Sequence, residues 1–334
     1  MLSIRYNKGM KFIKKLLVIG LVLLLCACTS SKQYVAYTMY PIGYLLERIG
    51  GDKILPVSIQ NNDIIQRATT VDDYKEILED STVLFHLGDI EPYYDATEQT
   101  FKETGVEFDD LSVLNALYDF KRYTLVYVDG KQNFVESPYY EGDVFDKVDM
   151  YDLDLNIWLS PTGMRSMAID VKDYLTSNYV EQSSYFEENF ETLYDELIVL
   201  DAAYNTLATK ITNENRTIKF VSMTPSFGCW QKDYGFQVYP VCMSRYGALP
   251  TEEEIEIIVE RIIKDGVKYI AYEPNLSPDM LDLMMELESE LGLKRITLNN
   301  ISSITSAQQA AGKDYMSLMY ENLSTLESIA AAGD

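Results

Sequence analysis

Residues 179–212, YVEQSSYFEENFETLYDELIVLDAAYNTLATKIT, decide the fold. Within them Phe186, Phe190, Leu193, Leu197, Leu200, Tyr204, Leu207 and Ile211 recur at spacings of 4, 3, 4, 3, 4, 3 and 4. No Gly or Pro interrupts the run. This period predicts one continuous helix with an apolar stripe, on the order of 50 Å long at roughly 1.5 Å per residue. A coiled-coil dimer would show the same stripe. An intramolecular role fits better, because sheet-forming halves flank the helix and both need a surface to pack on.

Those halves read alike. Before the helix, residues 34–40, 53–59 and 82–87 read as strands. Pro41 opens a helix that runs to Ile49 and ends at Gly50-Gly51, and residues 71–79 read as a second helix. After it, residues 217–223, 237–241, 269–272 and 295–298 read as strands. Helices are expected over residues 251–265 and 278–291, and a last one from about residue 312 to residue 331. Thr251-Glu252-Glu253-Glu254 has the form of a capping box, with acids at the positive end of the helix dipole. Such βαβα alternation argues for parallel sheets with helices on their faces. The expected architecture is α/β: two Rossmann-like lobes bridged by one long α-helix, with a ligand cleft between them. The expected divisions are residues 28–178, the helix at 179–212, and residues 213–334.

Composition narrows the chemistry. In 334 residues there are 52 acids, 28 bases and one histidine, for a formal charge of −24. So acidic a surface repels phosphate backbones, which argues against a nucleic-acid partner. With His86 alone, a multi-histidine zinc centre and an HExxH protease are both excluded. Neither a Gly-rich phosphate loop nor an activated-nucleophile motif is present, and no enzyme is expected.

The first residues read as a targeting segment. Arg5, Lys8, Lys11, Lys14 and Lys15 precede an apolar run over residues 16–25, which ends in Leu25-Cys26-Ala27-Cys28. This resembles a bacterial lipoprotein lipobox. The resemblance implies cleavage after residue 27, lipid attachment to Cys28, and an exported protein anchored at the outer face of the cytoplasmic membrane. Cys229 and Cys242 remain, either as a disulfide, which export permits, or as two buried thiols.

Five motifs in order carry a family resemblance. Tyr40-Pro41-Ile42-Gly43-Tyr44-Leu45-Leu46-Glu47-Arg48-Ile49-Gly50-Gly51-Asp52 is similar to the opening of the zinc- and manganese-type metal receptors of bacterial ABC importers. Asp154-Leu155-Asn156-Ile157-Trp158-Leu159-Ser160-Pro161 resembles their Asp-Pro-His-x-Trp-Leu-Ser-Pro element. Ser226-Phe227-Gly228 with Tyr234-Gly235 resembles their His-Asp-Ala-Phe-Gly-Tyr and Tyr-Gly pair. Tyr272-Glu273-Pro274 resembles their Phe-x-Glu-Pro, and residues 315–323 their terminal helix. The resemblance implies a solute-binding lipoprotein, monomeric, partnered with an importer permease. It also implies one divalent cation, zinc or manganese, in the cleft.

Aligned on those anchors, the family's metal ligands fall on Ile65, Asn156, Thr224 and Asn299. These side chains supply neutral oxygens or none, whereas zinc favours imidazole, thiolate and carboxylate. Glu273 and Trp158 are the retained residues that the resemblance places near the cleft. For Glu273 a structural role, paired with backbone donors or with Arg245, is the alternative. Acids at 141, 143, 146, 149, 152 and 154 occupy the interval where zinc members carry a His-rich loop, yet their spacing fits no calcium loop, and a solvated loop is expected. His86 reads as a hydrogen-bonded structural residue. Two further functions stay open. One is a pseudo-receptor or adhesin-like surface protein that no longer binds metal. The other is a receptor for an organic or chelated ligand, drawing on the 26 tyrosines and two tryptophans.

Overall fold

The computed structural model describes residues 33–332 apart from 62 and 114, so the leader and Cys28 lie outside the described residues. The first sheet contains β1 (Gln33–Tyr37), β2 (Ile54–Ser58), β3 (Ser81–His86) and β4 (Glu107–Asp110), in the order β2-β1-β3-β4. Strand β3 runs parallel to both β1 and β4. Its connections are the helices α1 (Tyr40–Gly50), α2 (Tyr74–Glu79) and α3 (Tyr94–Thr104). Helix α1 has Pro41 in its first turn and ends at Gly51, whose φ of 53° is one that a side chain would strain.

A segment of different character follows: β5 (Tyr118–Asp119), the hairpin β6 (Arg122–Val128) and β7 (Lys131–Ser137), and β8 (Leu153–Asp154). Asp129 and Gly130 close the hairpin with φ of 51° and 75°, the left-handed pair that a two-residue turn requires. The hairpin packs on the second sheet. Gln237 Nε2 donates to Tyr123 O at 3.0 Å, and Arg122 Nη2 donates to Gln237 Oε1 at 2.7 Å.

Helix α4 (Pro161–Asn178) is capped by Ser160, whose hydroxyl accepts from Gly163 N. The long helix α5 spans Ser183–Asn213, starting four residues later than expected because Val180–Gln182 form a 3-10 turn. All eight stripe residues are buried. Burial contributes roughly 1.5–3 kcal/mol for each such side chain, so the stripe holds this helix more than its intrinsic propensity does. It braces both halves: Asn189 donates to Ile49 O at 3.0 Å, and Tyr204 Oη to Met319 O at 2.8 Å.

The second sheet repeats the first. Its strands β9 (Lys219–Ser222), β10 (Gln237–Pro240), β11 (Tyr269–Tyr272) and β12 (Lys294–Thr297) run in the order β10-β9-β11-β12, every pair parallel. Around it lie α6 (Cys229–Tyr234), α7 (Glu252–Lys264), α8 (Pro278–Leu291), α9 (Ser306–Ala310) and α10 (Tyr315–Ala332). The capping box at Thr251 and Glu254 forms as expected. The fold is therefore two α/β lobes of the same strand order joined by one long helix. Among the described residues no helix is long and apolar enough to cross a membrane.

Candidate functional site

In open parallel sheets ligands bind beyond the carboxyl ends of the strands, where the strand order reverses. In both sheets that point lies between the first and third strands, and both carry the same device there. Beyond β1 and β3, Thr38 Oγ1 donates to Glu91 Oε1. Beyond β9 and β11, Thr224 Oγ1 donates to Glu273 Oε2 at 2.6 Å. Both glutamates have no exposed surface.

Their surroundings differ. Glu273 Oε1 accepts from Met223 N at 2.9 Å and Thr224 N at 3.1 Å, and Oε2 accepts from Thr224 and from Asn300 Nδ2 at 2.7 Å. Burial pushes this carboxyl above its ordinary range, and the donors from Thr224, Asn300 and Met223 work against the shift. Each oxygen already holds two donors, so neither lone-pair set is free for a cation. Arg245, the alternative partner, is instead directed at Asp89, with Nη1 3.3 Å from its carboxylate. Glu91 is less well served: Oε2 has no protein partner, and burial raises its carboxyl to about 8.

The four aligned positions have distinct surroundings. Thr224, beyond the Glu273 bond, lies 2.9 Å from Ser226 Oγ. Asn299 follows β12, with its backbone N–H donating to Asn322 Oδ1 at 2.7 Å and its Oδ1 accepting from Gln308 Nε2 at 2.7 Å. Asn156 is folded back on Asp154: its backbone N–H and Nδ2 both donate to Asp154 Oδ1, at 3.0 and 2.9 Å. That leaves Asn156 Oδ1 buried without a protein partner. Ile65 stands in the 3-10 turn Ile65–Arg67, buried in the main apolar cluster. Thr224 and the Asn299-Asn300 pair are thus joined through Glu273. Asn156 is tied to them more loosely, since Trp158 Nε1 donates to Asn300 O at 2.7 Å. Ile65 has no polar atom on its side chain with which to join them.

Trp158 has no exposed surface, and its own carbonyl accepts from Tyr315 Oη at 2.6 Å, so its indole N–H and its carbonyl are both engaged in the core. His86 is buried, with Nδ1 3.0 Å from Gly88 O and its ring stacked on Tyr94 at 4.8 Å, and burial lowers its pKa. Cys229 and Cys242 are free, buried thiols. In the acidic interval residues 141, 143, 146, 149 and 152 are exposed, while Asp154 is buried. Asp154 depends on a close approach: a Cβ at Gly228 would lie 2.1 Å from Asp154 Oδ2.

A bidentate pair crosses from one half of the chain to the other. Arg67 Nη1 and Nη2 donate to Asp279 Oδ1 and Oδ2, both at 2.8 Å, and hold that carboxyl well below its usual range. Arg67 Nε and Nη2 also donate to Gly247 O. Gly247 has a φ of 63°, and a Cβ there would meet Arg67 Cγ at 3.0 Å. Among the described residues no group of three or more His, Cys, Asp or Glu side chains is placed to hold a metal ion. Gln66 Oε1, Glu91 Oε2 and Asn156 Oδ1 are buried oxygens without protein partners. The sequence reading missed Glu91. Its counterpart Glu273 was found through a Tyr-Glu-Pro motif, and Ile90-Glu91-Pro92 repeats that Glu-Pro pair, a local signal that the reading did not use.

Residues 35–329 match the family described as ZnuA, zinc-uptake complex component A, periplasmic. The chain is 29% identical over 173 residues to the zinc-binding protein AdcA of Streptococcus pyogenes serotype M1, an alignment covering 52% of this chain and 32% of that protein. It is 25% identical over 175 residues to the high-affinity zinc uptake system protein ZnuA of Bacillus subtilis strain 168, covering 52% and 53% of the two chains. The chain thus spans about a third of the length of the AdcA relatives and about half that of the Bacillus one. Among solved structures it is similar to the Zn(II)-bound ZnuA-like domain of Streptococcus pneumoniae AdcA, with a TM-score of 0.65, 20% identity, and coverage of 89% of this chain and 98% of that one. It is also similar to a mutant of the laminin-binding adhesin of Streptococcus agalactiae, with a TM-score of 0.67, 17% identity, and coverage of 89% and 98%. At these identities the structural likenesses speak to the fold.

Proposed function

This chain belongs to the ZnuA family of periplasmic zinc-uptake complex components, a family of solute-binding proteins and not of enzymes, and from that premise we propose that it is a divergent receptor. In this reading it is exported, held to the outer face of the cytoplasmic membrane through Cys28, and delivers a solute to an ABC importer permease as a monomer. Residues 28–178 and 213–334 are its two lobes, and residues 179–212 the helix between them. Its cleft has lost the family's transition-metal cage.

The observation that carries the divergence is the full occupation of Glu273 by four donors, two of them from Thr224, while Asn156 and Asn299 bring only carboxamides. Carboxamide and hydroxyl oxygens with one apolar neighbour do not fit a zinc ion, which takes nitrogen, sulfur or carboxylate donors. Manganese accepts more oxygen but still favours charged ligands. Calorimetric titration of the demetallated protein with zinc and with manganese tests the proposal. Binding is expected to be on the order of 10 μM or weaker for both ions. Submicromolar binding near one equivalent would overturn the loss of the cage.

The anchor has its own test. Cys28→Ser is expected to move the protein from the membrane fraction into the soluble or secreted fraction, because a single chain-end lipid supplies the attachment. Unchanged membrane retention would refute lipidation at that position.

A second reading has an observation in its favour. Structures similar in fold include ones described as a laminin-binding adhesin and a laminin-binding protein. A surface interaction protein that kept the fold and dispensed with cargo is consistent with the same cleft. Loss of solute uptake on deletion would favour the receptor, and loss of surface adhesion alone would favour the adhesin-like reading.

A further inference from the structure

At the amino-terminal ends of β9 and β10, the opposite end of the second sheet from Thr224 and Glu273, lies a cavity of about 480 Å³. It is open to solvent on one side and bordered by the hairpin strand β6, the end of α5 and the end of α7. Four cationic side chains line it, Arg122, Arg216, Lys219 and Arg261, against one carboxylate, Asp265. In a chain with 52 acids and 28 bases this local excess runs against the composition. Like charges gathered around one cavity repel unless an anion joins them.

Part of the positive charge is already engaged. Arg216 Nη1 is paired with Glu214 Oε2 at 2.6 Å and its Nη2 donates to Ala330 O at 2.7 Å, and Lys219 Nζ donates to Asp265 O at 2.8 Å. Asp265 Oδ2 serves Arg261 Nε at 2.7 Å, Tyr239 Oη at 2.7 Å and Arg122 Nη2 at 3.3 Å. Arg122 is engaged through Nη2 alone, which meets Gln237 Oε1 at 2.7 Å, Tyr239 Oη at 2.8 Å and Asp265 Oδ2 at 3.3 Å. It is 3% exposed, its guanidinium lies 4.4 Å from the centroid of the Tyr239 ring, and Nε and Nη1 have no protein partner. A buried guanidinium with two donor nitrogens unmet is costly in isolation and is matched by a bound oxyanion. The Tyr239 ring and the Gln237 amide oxygen hold the fork in place.

We propose that this cavity is a second binding site, separate from the cleft between the lobes, for a small anion bearing a carboxylate or phosphate group. Arg122 is its buried anchor and Arg261 its more exposed clamp. The volume accommodates a metabolite-sized molecule. The site does not depend on the fate of the metal cage, because none of Ile65, Asn156, Thr224, Glu273 and Asn299 lines it.

Calorimetric titration of the purified protein with succinate and with inorganic phosphate, at ionic strength held constant with sodium chloride, tests the proposal. At least one anion is expected to bind at one equivalent with a Kd on the order of 1 mM or tighter. Arg261→Gln is expected to weaken that binding about tenfold, and Arg122→Gln to abolish it. Arg122→Gln removes a buried group and its fold is checked by circular dichroism, while Arg261→Gln supplies the result if that variant does not fold. Lys102→Gln, on α3, is the control and should bind as the parent does. Absence of saturable heat with both anions overturns the proposal. So does binding that Arg261→Gln leaves unchanged, or binding that the control loses equally.

Discussion

Glu273→Ala lowers the unfolding free energy by about 3–5 kcal/mol, the range seen when a buried hydrogen-bonded carboxylate is removed from its partners. Met223 N, Thr224 N, Thr224 Oγ1 and Asn300 Nδ2 all converge on this side chain, which has no exposed surface. Truncation leaves two backbone N–H groups, a hydroxyl and an amide in a site that water does not reach. In a chain of this size the loss appears as a fall in Tm on the order of 10 °C. Glu273→Gln is expected to lose roughly half as much, since one amide oxygen still accepts two donors while the new NH2 meets the remaining donors. Thermal and urea unfolding of the two variants measure this. An Ala variant within about 1 kcal/mol of the parent would refute the bracing role and return Glu273 to the set of available ligands.

That role also explains why the site was only partly legible in the sequence. The apolar stripe of α5 was legible because a 3.6-residue period is a property of the chain itself, and each of its eight positions is buried. The capping box at Thr251 was legible for the same reason, since both partners lie within one turn. The hairpin was readable too: Asp129-Gly130 between two β-rich runs is a strong turn signal, but the reading passed over it. What local sequence does not encode is where a charged side chain ends up. Asp154 sits among exposed acids yet is buried against Gly228, and its environment depends on a residue 74 positions away. Arg122 is one of 28 bases on paper, and only the packing of the hairpin on β10 makes it a buried cation.

The repeat of the Thr–Glu device in both lobes sharpens this point, because equal motifs give unequal chemistry. Glu273 meets four donors, and Glu91 meets Thr38 at one oxygen and no protein partner at the other. Burial, opposed by Thr38 and reinforced by Asp110, therefore raises Glu91 from 4.5 to about 8. The sign of the linkage follows. Between those two values the unfolded chain has released the proton and the folded chain still holds it, so the folded state binds more protons. Stability contributed by Glu91 is complete below about 4.5, falls as pH rises, and is lost by about 8. Glu91→Gln keeps an acceptor for Thr38 and removes the titration. It should therefore match the parent near pH 4.5 and exceed it at pH 8, by roughly 2–4 kcal/mol out of the ~5 that the full shift allows. Unfolding of both proteins at the two pH values separates this group from every other, since the remaining titrating groups are common to the pair. Parallel stability curves would mean that Glu91 is ionised in the folded protein and paired with a group that compensates it. A gap that opens only toward alkaline pH would establish a neutral carboxylic acid at the switch point of the first lobe, where its twin in the second lobe is held by a full set of donors.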